Sequence, residues 1–417
     1  MSLLSINLHS IIFYFQFILL SFIGANIGAL YLDNHYALTK IQDQHIRMKV
    51  YYSVCYTLIT VPLSMVIVNL ILKFNAFDEW KKYKLKPLKT LISYRDKPVY
   101  VTFALLTIVC VFSVLYSIFI VGTLPIIEAM MGKDALYLAQ LRIKVSRGFE
   151  GNALIKNLTG INLSIFLSYI SFAYFKMNNE LKWKVMFIIT TICSIIIQTL
   201  DISKSPLVIY IIGFLIINVL IKGKIKAKKI LGTFIFLGIL IMFFYNVLGF
   251  NTVITVNDGP IGRLVLGQIT PLYYYFMYFP ELIGYLGNIF GNENSAARLV
   301  MMTYNPGGVQ MGTAGVMNTL FIGEAYAHFG VLGIIFSTLI VGAILQLTYI
   351  LIIRLPKSPV YIGFSAYVIL KVQAVITGSF IGFLYNPNII FITIVVITLI
   401  IVSRVLLKYT TKKEVNN

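Results

Sequence analysis

The side chains able to do chemistry are few, and they stand out against an apolar background. Glu324 sits in Phe-Ile-Gly-Glu-Ala-Tyr-Ala-His-Phe-Gly (321–330), where a carboxylate among apolar neighbours is a candidate general base for a hydroxyl. Asp201, in the short segment 201–206, offers the same chemistry, or a plain ion pair with Lys204. The remaining acids of the same loops (Glu128, Asp134, Glu150, Asp258, Glu281 and Glu293) read as ordinary loop charges. Lys133, Arg142, Lys144, Arg147, Lys156, Lys204, Arg263 and Arg298 share those loops. Singly, each is explained by solvation; as a group they point to an anionic ligand, because guanidinium forks match phosphate oxygens bidentately. Lys371 stands mid-way along an apolar stretch with Gln373 beside it, a position that demands a carboxylate partner or a cavity. His328 is either a titrating group or a hydrogen-bonded anchor. Tyr273, Tyr274, Tyr275 and Tyr278 suit an interfacial aromatic belt or a sugar-stacking platform.

What is missing narrows the chemistry. The chain has no phosphate-binding Walker loop, no GxGxxG and no HExxH. Cys55, Cys110 and Cys193 all fall in apolar stretches, which excludes a disulfide framework or a zinc cluster built on cysteine. No cofactor and no metal is expected. An enzyme of this kind must receive its energy in an already activated substrate, and a lipid pyrophosphate fits that description.

The elements that must position these residues are membrane helices. Of 417 residues 59% are hydrophobic and 12% charged, and no single soluble core can hide that much apolar surface. Mean hydropathy is +0.87. Ten stretches approach the ~20 apolar residues needed to cross roughly 30 Å of hydrocarbon: 10–32, 51–72, 99–122, 158–175, 185–200, 206–221, 230–248, 330–353, 359–384 and 389–407. The count becomes twelve if 266–290 also crosses and a second crossing precedes Gly330. The first stretch lacks a basic n-region and is too long for a signal peptide, so it reads as an uncleaved helix.

A net charge of +19 would suggest nucleic acid in a soluble protein. Here the basic residues gather in alternate loops: 73–98, then Lys176, Lys182 and Lys184, then 222–229, then Arg354 and Lys357, then Lys408, Lys412 and Lys413. One orientation, with N- and C-termini cytoplasmic, satisfies the positive-inside rule for all of them, and anionic lipid replaces nucleic acid as the partner. The expected architecture is an all-α polytopic membrane protein, one membrane domain over 1–417. It has a basic cytoplasmic loop at 73–98, a first periplasmic loop at 123–157 and a main periplasmic loop at 249–329. The last is rich in glycine and apolar residues and so contains interfacial or re-entrant helices that line a wet cavity.

Gly323-Glu324-Ala325-Tyr326, followed by Phe329-Gly330 and Gly333 at the start of a long apolar helix, resembles the late segment of Wzy-type O-antigen and capsular repeat-unit polymerases. Gly262-Arg263 and the segment after it are similar in character, and the helix and loop plan resembles that family along the whole chain. The resemblance implies a glycosyltransferase of the bacterial inner membrane that moves a growing glycan from one undecaprenyl pyrophosphate onto a fresh lipid-linked repeat unit. On that reading Arg263, Arg298 and one of Arg142 or Arg147 hold the pyrophosphate, with Lys204, Lys371, Tyr326 and His328 as further substrate contacts. Glu324 is the base for the acceptor hydroxyl, with Asp201 as substitute. A chain-length regulator and a flippase are the protein partners implied. An O-antigen ligase shares the substrate and the loop plan, and a lipid-linked oligosaccharide flippase or transporter shares the many helices, although transporters usually show paired halves.

Overall fold

The computed structural model describes residues 40–41, 43–91, 97–146, 148–224, 226–247, 270–288 and 294–415. Among the described residues every regular element is helical. In chain order these are α1 (Gln44–Ile71), α2 (Ala76–Leu85), α3 (Lys97–Val121), α4 (Pro125–Met130), α5 (Ala135–Ser146) and α6 (Ile155–Asn178), whose first turns, Ile155–Asn162, are wound as π-helix. Then come α7 (Leu181–Thr199), α8 (Lys204–Lys222), α9 (Ala227–Val247), α10 (Thr270–Tyr278), α11 (Ala296–Tyr304) and α12 (Pro306–Gln310). The chain continues with α13 (Phe321–Arg354), α14 (Pro359–Ile376), α15 (Ile381–Leu384) and α16 (Pro387–Val415).

Nine helical stretches among the described residues are long and apolar enough to cross a membrane: α1, α3, α6, α7, α8, α9, α13, α14 and the run Ile381–Tyr409 through α15 and α16. They match nine of the ten stretches expected from hydropathy; the tenth, 10–32, lies outside the described residues. The way α3 packs shows what its solvent is. Its buried face carries Thr102, Thr107, Ser113 and Ser117, while Leu105, Phe112 and Phe119 are exposed, Phe119 by 82%. Each buried hydroxyl donates to the carbonyl four residues back, at 3.0, 2.9, 2.8 and 2.7 Å respectively, so no polar group is left bare on that face. Apolar side chains outside and small hydroxyl residues inside is the arrangement lipid selects, since lipid gives helices no hydrophobic reason to associate. The protein is an all-α, multi-pass membrane protein.

The chain divides into two compact units, one of Met1–Trp80, Gly249–Ile353 and Val372–Asn386, the other of Lys81–Leu248, Arg354–Lys371 and Pro387–Asn417. In the first unit α1 and α13 run parallel. The Ser64 hydroxyl donates to the Leu339 carbonyl at 2.6 Å, and the Gln346 amide donates to Asn69 Oδ1 at 2.5 Å, so residue numbers rise together along both helices. The approach is close at Gly342, where a Cβ would fall 2.5 Å from the Val61 carbonyl. Pro62 interrupts the α1 hydrogen-bond ladder at that level. In the second unit Tyr174 and Trp183 stack at 4.0 Å between α6 and α7, and Gly363 of α14 lies against the Ile170 backbone of α6.

Three expectations shift at their edges. The stretch 359–384 is not one helix: α14 ends at Ile376 and the chain turns before the four-residue α15. The stretch 330–353 starts nine residues earlier, at Phe321, with a break at Gly330. Within 266–290 the described residues hold α10, nine residues and therefore about 14 Å long, and residues 266–269 and 289–290 lie outside the described residues.

Candidate functional site

The α13 break organises the end of the first unit that bears Glu324. Gly330 has φ 60° and ψ −144°, a conformation reserved for glycine, and α13 is therefore two helices: a short one ending at Phe329 and a long one beyond. The break strands the last carbonyls of the short helix. Backbone N–H groups of Leu286 and Gly287 supply the missing donors, to Ala327 O at 3.0 Å and His328 O at 3.1 Å. Tyr285 lies over the break, 2.9 Å from where a Gly330 Cβ would stand. All residues from Phe321 to His328 are buried, so this short helix is enclosed on every face.

Glu324 is 8% exposed. Its Oε2 accepts from the Ser379 hydroxyl at 2.7 Å and from the Ile381 N–H at 3.1 Å. The Gly382 N–H in turn donates to Ser379 Oγ at 3.2 Å, so the carboxylate and the hydroxyl together cap α15. This explains the turn after α14: the capping carboxylate comes from another helix, 55 residues away in sequence. Among the described residues nothing donates to Oε1, and that oxygen is not among the fully enclosed, unpartnered polar atoms. One oxygen is anchored and the other is open to a ligand.

Two further candidate residues, Tyr326 and His328, lie on the same short helix. Tyr326 stacks flat on Phe276, with ring centres 4.0 Å apart and planes within 2°, and Tyr285 meets its edge at 5.8 Å. His328, one helical turn after Glu324, is 3% exposed, and its Nδ1 is enclosed without a partner. The buried Thr319 hydroxyl, five residues before Glu324, is likewise unpartnered. Two orphaned polar atoms flanking one carboxylate mark a place built for a further polar group. Arg298, half-buried on α11, donates from Nη1 to the carbonyls of Ala314 (3.2 Å) and Gly315 (2.9 Å). It pins the glycine-bearing strand before α13 and keeps its Nε and Nη2 donors for another acceptor.

The tyrosine run takes neither surface role expected of it. Tyr273, Tyr274, Tyr275 and Tyr278 are all buried. Tyr274 packs on Tyr304 at 4.7 Å, and Tyr275 donates to the Met317 carbonyl at 3.2 Å. Burial raises the Tyr275 phenol well above its ordinary range, with the nearby Glu324 charge adding to the effect, so Tyr275 stays a donor. One residue was missed by sequence reasoning. Arg47, in the first turn of α1, is 6% exposed, donates from Nε to Ile41 O at 2.9 Å, and its charge acts on Tyr273. An arginine near a helix start draws no notice in the sequence. A near-complete burial of guanidinium is visible only in the fold.

The second unit holds a separate set. Asp201 accepts from the Ser203 N–H at 3.0 Å within its turn, and Arg142 of α5 reaches the Ser203 hydroxyl at 3.4 Å. Lys156 is buried, donates to the Val145 carbonyl at 2.5 Å and lies 4.3 Å from the Phe149 ring centre. Lys204 begins α8. Lys371 is half-buried with its ammonium 5.5 Å from the Tyr367 ring, and no carboxylate forms an ion pair with it among the described residues. Tyr367 donates to Asn162 Oδ1 at 2.8 Å, and Asn162 donates to Asn388 at 2.9 Å. This polar network is anchored where the π-helical start of α6 ends. Arg147 and Arg263 lie outside the described residues.

No family model, no curated protein and no solved structure matches the chain. The function therefore has to be argued from the site itself. Glu324 and His328 stand one turn apart on the same side of one short enclosed helix, Tyr326 lies on its other side against Phe276 and Tyr285, and Arg298 tethers the segment that leads into that helix. Within the second unit Asp201 and Arg142 both meet Ser203, and Lys371 lies by Tyr367. The chemistry available around Glu324 is that of a positioned base with aromatic walls.

Proposed function

We propose that this chain is a glycosyltransferase of the bacterial inner membrane that polymerises undecaprenyl-pyrophosphate-linked oligosaccharide repeat units into O-antigen or capsular polysaccharide at the periplasmic face. The observation that carries the reading is the Glu324 carboxylate, fixed through Oε2 by Ser379 and Ile381 and open at Oε1. In this proposal Oε1 removes the proton from the acceptor sugar hydroxyl as that oxygen attacks the anomeric carbon, and undecaprenyl pyrophosphate departs. Arg298 and Arg263 stabilise the charge on the leaving pyrophosphate, and Tyr326 with His328 forms the wall against which a sugar rests.

Sidedness follows from charge. Glu324 starts α13, whereas Lys73, where the first basic loop begins, follows the end of α1, and the two helices are parallel, so the site and Lys73 lie at opposite ends of the first unit. With the basic end cytoplasmic, the site faces the periplasm, where flipped lipid-linked repeats are delivered, and both termini face the cytoplasm. A chain-length regulator and the flippase are its expected neighbours.

A deletion strain examined for surface polysaccharide on a gel tests the assignment. Loss of the polymerase leaves lipid A core bearing a single repeat. Bare core with polymer stranded on its carrier would instead identify a ligase, and bare core with repeats trapped inside would identify a flippase; either pattern overturns the proposal.

A further inference from the structure

Away from Glu324, the second unit contains a cavity of about 370 Å³ where the segment 86–91, the turn between α13 and α14, and Arg404 of α16 meet. Lys86, Lys89, Lys357 and Arg404 line it together with the hydroxyl residues Thr90 and Ser358, and among the described residues no carboxylate lines it. Like charges are not gathered round a cavity by packing alone, since each repels the next. Lys357 sets the site apart from a solvated basic loop. It is 6% exposed, and its ammonium has the Lys84 carbonyl at 3.4 Å and the face of Tyr83 at 5.3 Å. A weak carbonyl contact and a ring leave most of a buried ammonium's hydrogen-bonding capacity unused. Burial accordingly pushes the Lys357 pKa below the ordinary lysine range, a cost that an anion beside it would offset.

The backbone is arranged to match. The Lys89 N–H donates to the Lys357 carbonyl at 3.0 Å, which ties the segment 86–91 to the turn bearing Lys357 beside this one space. Ser358 precedes the 18-residue α14, whose N-terminal N–H groups add positive potential. Ile400 and Pro87 supply an apolar side to the same cavity.

We infer that this cavity is a binding site for a phosphate group, held by Lys89, Lys357 and Arg404 at the start of α14. Two sources carry that chemistry, an anionic phospholipid headgroup and free phosphate. The apolar wall suits the glycerol and first methylenes of a lipid, and basic pockets at helix ends on the inner-leaflet side recognise such headgroups. The site is independent of the glycosyltransferase proposal and involves none of its residues.

The test uses the full-length protein in neutral detergent, with thermal unfolding and native mass spectrometry as readouts. The titrants are phosphatidylglycerol, phosphatidylcholine and inorganic phosphate, added to the wild type, to Lys89→Gln and to the double variant Lys89→Glu/Arg404→Glu. Phosphatidylglycerol should raise the unfolding temperature and remain bound in the mass spectrum. The double variant should bind at least about tenfold more weakly, as expected when charge-assisted hydrogen bonds are lost. Stabilisation by phosphatidylglycerol alone identifies a lipid site, and equal stabilisation by inorganic phosphate identifies a soluble phosphate as the ligand; both support the inference. Indifference to both ligands, equal retention of phosphatidylcholine, or unchanged binding in a folded double variant overturns it. Lys89→Gln, which changes one charge at a polar position, reads the same loss in smaller measure should the double variant fail to fold.

Discussion

Replacing Glu324 by glutamine separates its two possible duties, as a cap for α15 and as a base. Glutamine keeps the shape and keeps a carbonyl oxygen that can accept from Ser379 and Ile381, so the two bonds at 2.7 and 3.1 Å survive as neutral ones. The exchange of two charge-assisted bonds for two neutral ones costs about 1–3 kcal/mol in all. Alanine instead leaves a half-buried hydroxyl and a half-buried N–H without the carboxylate acceptor, at most about 1–3 kcal/mol each, and adds a cavity. Stability therefore falls in the order wild type, Gln, Ala. Activity falls differently, because removing a general base costs roughly 10²–10⁴-fold whichever residue replaces it. The assay is the polysaccharide ladder on a gel, scored against the amount of protein in the membrane and, with purified protein, against turnover of lipid-linked repeats. Glu324→Gln should insert at near-normal levels and make no long polymer. A normal ladder from that variant at normal abundance would refute the base assignment and leave Glu324 as a structural cap.

Gly330→Ala forces a side chain into a backbone conformation that costs about 1–3 kcal/mol and sets its Cβ 2.9 Å from the Tyr285 ring; unfolding temperature should drop, and faster hydrogen exchange at Leu286 and Gly287 would report loss of the bonds that cap the break. Arg298→Ala should lower stability by about 1–3 kcal/mol through loss of the guanidinium bonds to the Ala314 and Gly315 carbonyls, and Arg298→Lys should restore stability better than polymer length, as judged from thermal unfolding beside the ladder. Gly342→Val pushes a branched side chain against the Val61 carbonyl, and overpacking of this kind costs about 1–3 kcal/mol; a cysteine pair placed at Ser64 and Leu339 should then cross-link less readily. Lys357 is driven toward its neutral form by burial, so between its lowered pKa and the ordinary lysine value the unfolded chain holds more protons and stability rises with pH. Lys357→Met removes that slope, and parallel melting curves against pH for the two proteins would contradict it.

The spans were legible because lipid forces every backbone polar group into a local hydrogen bond, which makes long apolar helices unavoidable. Leu105, Phe112 and Phe119 mark α3 whether or not its neighbours are known. The breaks were not legible in the same way. Glycine is common in membrane helices, and Gly330 looks no different from Gly342 until φ and the Tyr285 ring are seen. The end of α14 depends on Ser379 meeting a carboxylate from α13, a tertiary event that hydropathy does not record. At the site, Glu324 stood out because a charge inside an apolar run must be explained, and Tyr326 and His328 follow from its helix. Arg47 did not stand out, because a cation in a first turn needs no explanation. The tyrosine run misled for the opposite reason: Tyr suits an interface so well that burial of all four was not the reading it invited.

The parallel pairing of α1 with α13 has a bearing on how the protein is made. Ser64 and its acceptor on Leu339 are 275 residues apart. At translation speeds of 5–20 residues per second, α1 waits roughly a quarter of a minute to a minute in the bilayer before its partner leaves the ribosome. During that interval Ser64 and Asn69 face lipid with no interhelical bond. The continuous segment Lys81–Leu248, by contrast, emerges in one piece and can assemble as it inserts. Birth order thus runs against pairing order: α1 precedes α13 by most of the chain yet pairs with it directly, and α1 is the helix that an insertase or membrane chaperone has most reason to shelter.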